Sequence, residues 1–149
     1  MVPSAYVEGW ALYTEKLGYE IGGYQTPEDR FGQLTFEMWR ACRLVVDTGM
    51  HAKGWTRQQA IDFMTSNTSL APLDIESEID RYISWAGQAL AYKIGELRIL
   101  DLRKLAEEKL GSRFDLRAFN DRLLADGPMP IDMLEARVRA WIAEQASKN

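Results

Sequence analysis

The sequence predicts an all-α fold: one helical domain spanning residues 1–149, built from about six helices. Three observations lead there. Apolar residues recur at spacings of three and four along almost the whole chain. Helix starts are marked by capping residues followed by proline or acids, and helix ends by glycine. No run alternates apolar and polar residues with β-branched enrichment, so no sheet is expected.

The first helix runs from about Ser4 to Tyr19 and ends near Gly22-Gly23. Thr26-Pro27-Glu28-Asp29 then reads as a cap, a proline in the first turn and acids that suit the helix dipole. Its apolar stripe is Phe31, Leu34, Met38, Cys42 and Val45, and the spacing predicts an end near Asp47-Thr48-Gly49. Thr56 and Gln59 stand at capping-box spacing before Ala60, Ile61, Phe63 and Met64, in a helix that fades at Asn67-Thr68-Ser69. Asp74 caps a long helix through Ile79, Tyr82 and Ile83, predicted to kink or break near Gly87 in Trp85-Ala86-Gly87. It resumes with Ala89, Leu90, Ile94, Leu97, Leu102 and Leu105 and closes at Leu110-Gly111. Asp115 caps a short helix ending at Asp126-Gly127. The last helix runs from about Asp132 to Gln145 and buries Leu134, Val138, Trp141 and Ile142.

Composition narrows the function classes. A chain of 149 residues buries roughly 68–70% of its unfolded surface, enough for one core. With 46% apolar and 27% charged residues it is neither disordered nor a disulfide scaffold. Eighteen basic against 22 acidic residues give a net charge of −4, without a Lys/Arg block, so neither nucleic acid nor an anionic membrane is expected as a partner. Uncharged stretches fall short of the ~18–20 residues a membrane span needs. No basic leader precedes Glu8, so the expectation is a soluble chain carrying no targeting signal, its compartment left open. The single histidine, His51, and the single cysteine, Cys42, cannot make a usual zinc site by themselves.

Four residues do not read as plain core. Glu8 is the only charge between Tyr6 and Tyr13, in a helix apolar on most faces; a buried carboxylate there needs an arginine such as Arg40 or Arg43, or a metal. Gly9 beside it costs helix propensity, which implies a close approach. His51 reads either as an exposed loop histidine just past a helix end or as a hydrogen-bonding group for substrate. Arg81 and Tyr92 flank the break at Gly87, as Tyr82 does, and so either line a cleft or belong to the core with polar ends at its rim. Arg43 and Asp47, four apart, default to a helix-surface ion pair, and Cys42 to a small core residue. No nucleophile elbow or phosphate loop is present.

The strings Ala5-Tyr6-Val7-Glu8-Gly9-Trp10-Ala11-Leu12-Tyr13 and Arg40-Ala41-Cys42-Arg43-Leu44-Val45-Val46-Asp47-Thr48-Gly49-Met50-His51 are distinctive. So are Glu78-Ile79-Asp80-Arg81-Tyr82 and Gly87-Gln88-Ala89-Leu90-Ala91-Tyr92-Lys93-Ile94-Gly95. Together, and in this order, they resemble the C-terminal part of the bacterial family catalogued as domain of unknown function 885, itself similar to helical zinc metallopeptidases of the gluzincin kind. In such proteins an H-E-x-x-H helix supplies two histidine ligands and the general base, and a later glutamate the third ligand. The resemblance puts that third-ligand role on Glu8. It implies that His51 and Tyr92 hold an oxyanion or a substrate carboxylate, and that Arg81 binds a carboxylate or supports a neighbour that does.

Departures from the family pattern limit these roles. No H-E-x-x-H occurs in the chain, so two ligands and the base are absent. Ala86 stands where the family has proline, which softens the expected break, and Asn120 where it has histidine. The resemblance therefore implies a C-terminal fragment of a zinc-dependent, peptidase-like hydrolase, with zinc and a peptide substrate belonging to the parent and no cofactor or activity for this chain alone. Its partner would be the missing H-E-x-x-H segment. Apolar surface meant for that segment could pair with itself in a symmetric homodimer. The alternative is a non-catalytic helical interaction or scaffold module.

Overall fold

The computed structural model describes residues 3–148 and, among these, contains helices, a short 3-10 turn and no strand. The helices are α1 (Ser4–Glu20), α2 (Pro27–Ala52), α3 (Arg57–Asn67), α4 (Pro72–Ser84), α5 (Gln88–Leu110), α6 (Leu116–Leu124) and α7 (Ile131–Ser147); the 3-10 turn Gly111–Arg113 follows α5. The all-α expectation holds. The helix expected to break at Gly87 is two helices, α4 and α5, which makes seven of the expected six.

Local chemistry explains most boundaries. Capping boxes at Thr26/Asp29 and Thr56/Gln59 start α2 and α3, and Asp115 caps α6 through the Arg117 and Ala118 amides. α4 begins at Pro72 on an Ala71 cap, two residues before the Asp74 that the sequence suggests. At the break Gly87 has φ 81°, a left-handed conformation that glycine adopts without a Cβ clash. Ala86 does not soften it.

α2 runs past its expected end at Gly49 and includes His51, which is therefore not a loop residue. Gly49 keeps helical geometry because it is a packing glycine: a Cβ there would run into the Trp55 ring. Its carbonyl accepts the Lys53 and Trp55 amides, folding the chain back over the helix end.

Two apolar clusters share α5. Cys42, Val46, Ala60, Met64, Ile75, Ile79, Tyr82 and Ala89 join α2, α3 and α4 to the start of α5. Tyr6, Tyr13, Ile99, Leu102, Phe119, Leu123, Leu134, Val138 and Ile142 join α1, α6 and α7 to its later turns. Between them lies a polar layer in which Lys93 Nζ bridges Glu37 at 3.2 Å and the buried Glu96 at 2.7 Å. A buried carboxylate needs such a partner.

α1 crosses α5 at paired glycines. A Cβ on Gly95 would lie 2.7 Å from the Gly9 Cα and would overlap the Ala5 carbonyl; one on Gly9 would lie 2.8 Å from the Glu96 nitrogen. The close approach that Gly9 implies is the α5 backbone.

Candidate functional site

The densest polar arrangement gathers around the Tyr82 hydroxyl, at the level where α2, α4 and the start of α5 meet. Tyr82 Oη donates to Glu78 Oε2 at 2.8 Å and accepts from Arg43 Nε at 2.7 Å and Trp39 Nε1 at 3.0 Å. Arg43 Nη2 reaches the same Glu78 oxygen at 3.0 Å, and Arg81 grips Glu78 with two bonds of 3.0 and 2.8 Å. Burial, reinforced by the Glu78 carboxylate, pushes the Tyr82 phenol up to about 12 against the opposing pull of Arg43. The Arg81 bond, helped by Tyr82 and Arg43, brings Glu78 down to about 2. Tyr82 is thus neutral and its one proton is committed to Glu78.

Arg43 is the unusual member. Arg43 is 4% exposed, and its guanidinium lies 4.6–5.2 Å from the centres of the Trp39, Tyr82 and Tyr92 rings, a cation held among π faces. Its Nη1 is buried without a hydrogen-bond partner. The i,i+4 pair expected between Arg43 and Asp47 does not form. Asp47, also buried, turns its carboxylate to the Gly87 amide at 3.1 and 3.3 Å and so ties the α4–α5 break to α2.

The candidate residues from the sequence surround this cluster. Arg81 Nη1 bonds Gln88 Oε1 at 3.1 Å, so its donors serve Glu78 and Gln88. The half-buried Tyr92 stacks on Arg43, and its hydroxyl lies a long 3.5 Å from Gln88 Nε2, which leaves its proton uncommitted. The exposed His51 places Nε2 at 3.0 Å from the Tyr82 carbonyl; a carbonyl only accepts, so Nε2 carries a proton, and Nδ1 has no protein partner among the described residues.

Glu8 is half-buried rather than buried, and neither Arg40 nor Arg43 is its partner: Arg40 pairs with Glu15 and Arg43 with Glu78. Among the described residues its carboxylate has no partner. Its level follows from helix register. Tyr19 meets Gln33 and Glu15 meets Arg40, so α1 and α2 run antiparallel; seven residues back from Glu15, Glu8 comes at about the level of Asp47. Gly9 meets Gly95 and Glu20 meets Arg103, so α1 and α5 run parallel, which sets Glu8 at about the level of Ile94, within one turn of Tyr92. Arg81, Tyr92 and His51 thus surround the Tyr82 cluster, and helix register sets Glu8 at a neighbouring level with no hydrogen bond to any of them among the described residues.

Three contributors were not singled out as site residues from the sequence: Arg43, Glu78 and Trp39. Glu78 had a readable signal, standing three and four residues before Arg81 and Tyr82 on one helix face. Arg43 and Trp39 had none, because their partners lie on other helices. Asn120, by contrast, sits elsewhere, accepting from Tyr13 Oη at 2.9 Å beside the second apolar cluster. No group of three or more His, Cys, Asp or Glu side chains among the described residues is placed to hold a metal ion. Among the described residues no helix is long and apolar enough to cross a membrane.

Residues 1–138 match the family described as "Bacterial protein of unknown function (DUF885)". No curated protein matches the chain. Among solved structures, one described as a "putative lipoprotein" from Colwellia psychrerythraea is similar at 48% identity and a TM-score of 0.92, over 95% of this chain and 24% of its own. Another, described as a "putative lipoprotein of unknown function" from Shewanella oneidensis, is similar at 31% identity and a TM-score of 0.82, over 89% of this chain and 24% of its own. The chain thus spans about a quarter of the length of both.

Proposed function

The chain belongs to the bacterial DUF885 family, and on that footing we propose that it is the C-terminal quarter of a larger zinc-dependent, metallopeptidase-like hydrolase that cannot act without the rest. The observation that carries this reading is that Glu8 and Tyr92, each with an uncommitted polar end, lie within about one turn of each other's level on the parallel helices α1 and α5, Tyr92 against the Arg43–Glu78–Tyr82 cluster.

The described residues do not by themselves fit a zinc ion, because Glu8 is a single carboxylate with no second ligand beside it. Zinc sites of this class polarise a carbonyl and activate water, and none of that chemistry is assigned to this chain. Its residues do the binding and positioning. Tyr92 donates a hydrogen bond to a substrate carbonyl or carboxylate. Its ring stays in place on Arg43, which the Glu78–Arg81 pair in turn fixes. His51 offers Nδ1 at the rim. Arg81 is a positioning residue, since three of its five N–H donors go to Glu78 and Gln88. The substrate class implied by the resemblance is a peptide.

Metal content tests the reading. Expressed alone, the chain should bind no stoichiometric zinc; produced together with the coding sequence that precedes its Met1 codon, it should hold one zinc per chain, lost in Glu8→Gln. A stop codon directly upstream with no H-E-x-x-H sequence nearby would overturn the reading, as would a Glu8→Gln protein that keeps its metal. The second reading, a non-catalytic helical module, is favoured by one feature, the apolar residues of α2 left in water. It predicts a defined monomer or homodimer that gains no metal in any context.

A further inference from the structure

The stripe Phe31, Leu34, Met38 and Val45 has the spacing of a helix face made for burial, yet these residues are 66, 55, 50 and 40% exposed. Cys42 on the same stripe, with Val46 and Gly49 beside it, is buried in the core toward the C-terminal half of α2. The chain therefore covers the apolar face of α2 only in part and leaves its first half open. The stripe extends over fifteen residues, about 21 Å of helix. Beside its first half runs an open groove of about 510 Å³ lined by Phe31, Leu34, Thr35 and Met38 on one wall and by the polar residues 66–69 on the other.

We propose that this face of α2 seats an amphipathic helix from the part of the parent polypeptide that lies outside this chain. The proposal rests on the fragment reading above. About three-quarters of each similar solved chain lies outside the matched region, and at 48% identity with a TM-score of 0.92 the Colwellia protein presents the same helix within that longer polypeptide. The groove's walls specify the occupant's chemistry. Leucine or aromatic anchors three and four apart would fill the space between Leu34 and Met38, and polar flanks would meet Thr35, Asn67 and Ser69.

Site-specific cross-linking tests this without any assumption about zinc. The photoreactive substitution Met38→p-benzoylphenylalanine is made in the chromosomal gene of the cells that express the protein, with Lys104→p-benzoylphenylalanine, on the exposed far part of α5, as the control. The expected result is a cross-link from position 38 to a peptide of the family's remaining sequence, whether on the same polypeptide or a separate one. Adding Leu34→Glu should cut its yield about tenfold while leaving helix content unchanged. A cross-link to a second copy, a cross-link to an unrelated protein, or a yield no higher than at position 104 would each overturn the proposal. If the expected peptide is found but the assembled protein holds no zinc, the docking surface stands and the hydrolase reading fails. Zinc binding without the cross-link would sustain the hydrolase reading and overturn the docking surface.

Discussion

Replacing Gly95 with alanine puts one methyl group into the α1–α5 crossing, and its consequence can be worked from distances. The added Cβ would lie 2.7 Å from the Gly9 Cα and 2.9 Å from the Ala5 carbonyl carbon, and would overlap the Ala5 oxygen. Ordinary contact begins near 3.4 Å, so α1 and α5 must part by about 1 Å. All three atoms are backbone, and no side-chain rotation relieves the clash. Overpacking of this kind costs about 1–3 kcal/mol, with a rigid site at the upper end. Alanine returns about 1 kcal/mol in helix propensity. The net loss is about 2 kcal/mol, which for a chain of this length lowers Tm by roughly 4–8 °C. Gly32→Ala is the matched control, because it too lies inside a helix but meets nothing within 4 Å. It should raise Tm by roughly 2–4 °C through propensity alone. Thermal melts followed by circular dichroism decide the matter. A Gly95→Ala protein that melts at or above the parent would refute the close crossing, and with it the register that sets Glu8 within a turn of Tyr92.

Two further outcomes follow from the polar cluster. Glu78 is held at about 2 against an ordinary 4.5, so its contribution is complete above pH 4.5 and is lost as the pH falls toward 2. Full burial would make this about 3 kcal/mol, but 22% of the side chain remains in water and screening reduces it to roughly 1–2 kcal/mol. Urea titrations between pH 6 and 2.5 should show Glu78→Gln with a shallower acid slope than the parent; equal slopes would mean that Glu78 contributes nothing to acid stability. Asp47→Ala should cost about 1–3 kcal/mol by leaving the Gly87 amide unpaired, and should speed hydrogen exchange at that amide. Unchanged protection at Gly87 would mean that Asp47 does not hold the break.

Helix starts were legible because they are local. Thr26 with Asp29, Thr56 with Gln59, and Asp115 satisfy amide groups within a turn of themselves, so spacing alone identifies them. The end of α2 was not legible, because Gly49 carries the same letter whether it stops a helix or makes room for the Trp55 ring. The break at Gly87 could be predicted, but not the Asp47 carboxylate that secures it from forty residues away.

The candidate site divides along the same line. Glu8 stood out as a lone charge in an aromatic helix, and Arg81 and Tyr92 by flanking the break, all visible within a few residues. That Arg43 forsakes Asp47 for Glu78, and that three rings from three helices enclose it, depends on how α2, α4 and α5 stack.

Periodicity by itself determined that the chain is helical, roughly where each helix lies, and that α2 is amphipathic, because hydrogen bonding and capping act over four residues. It could not determine which apolar face meets a neighbour. Phe31, Leu34 and Met38 read as core and stand in water, while Glu96 reads as surface and is 1% exposed, held by Lys93. Burial depends on which helices come to lie alongside, a long-range choice that the closely packed glycines at the α1–α5 crossing fix only once the chain has folded.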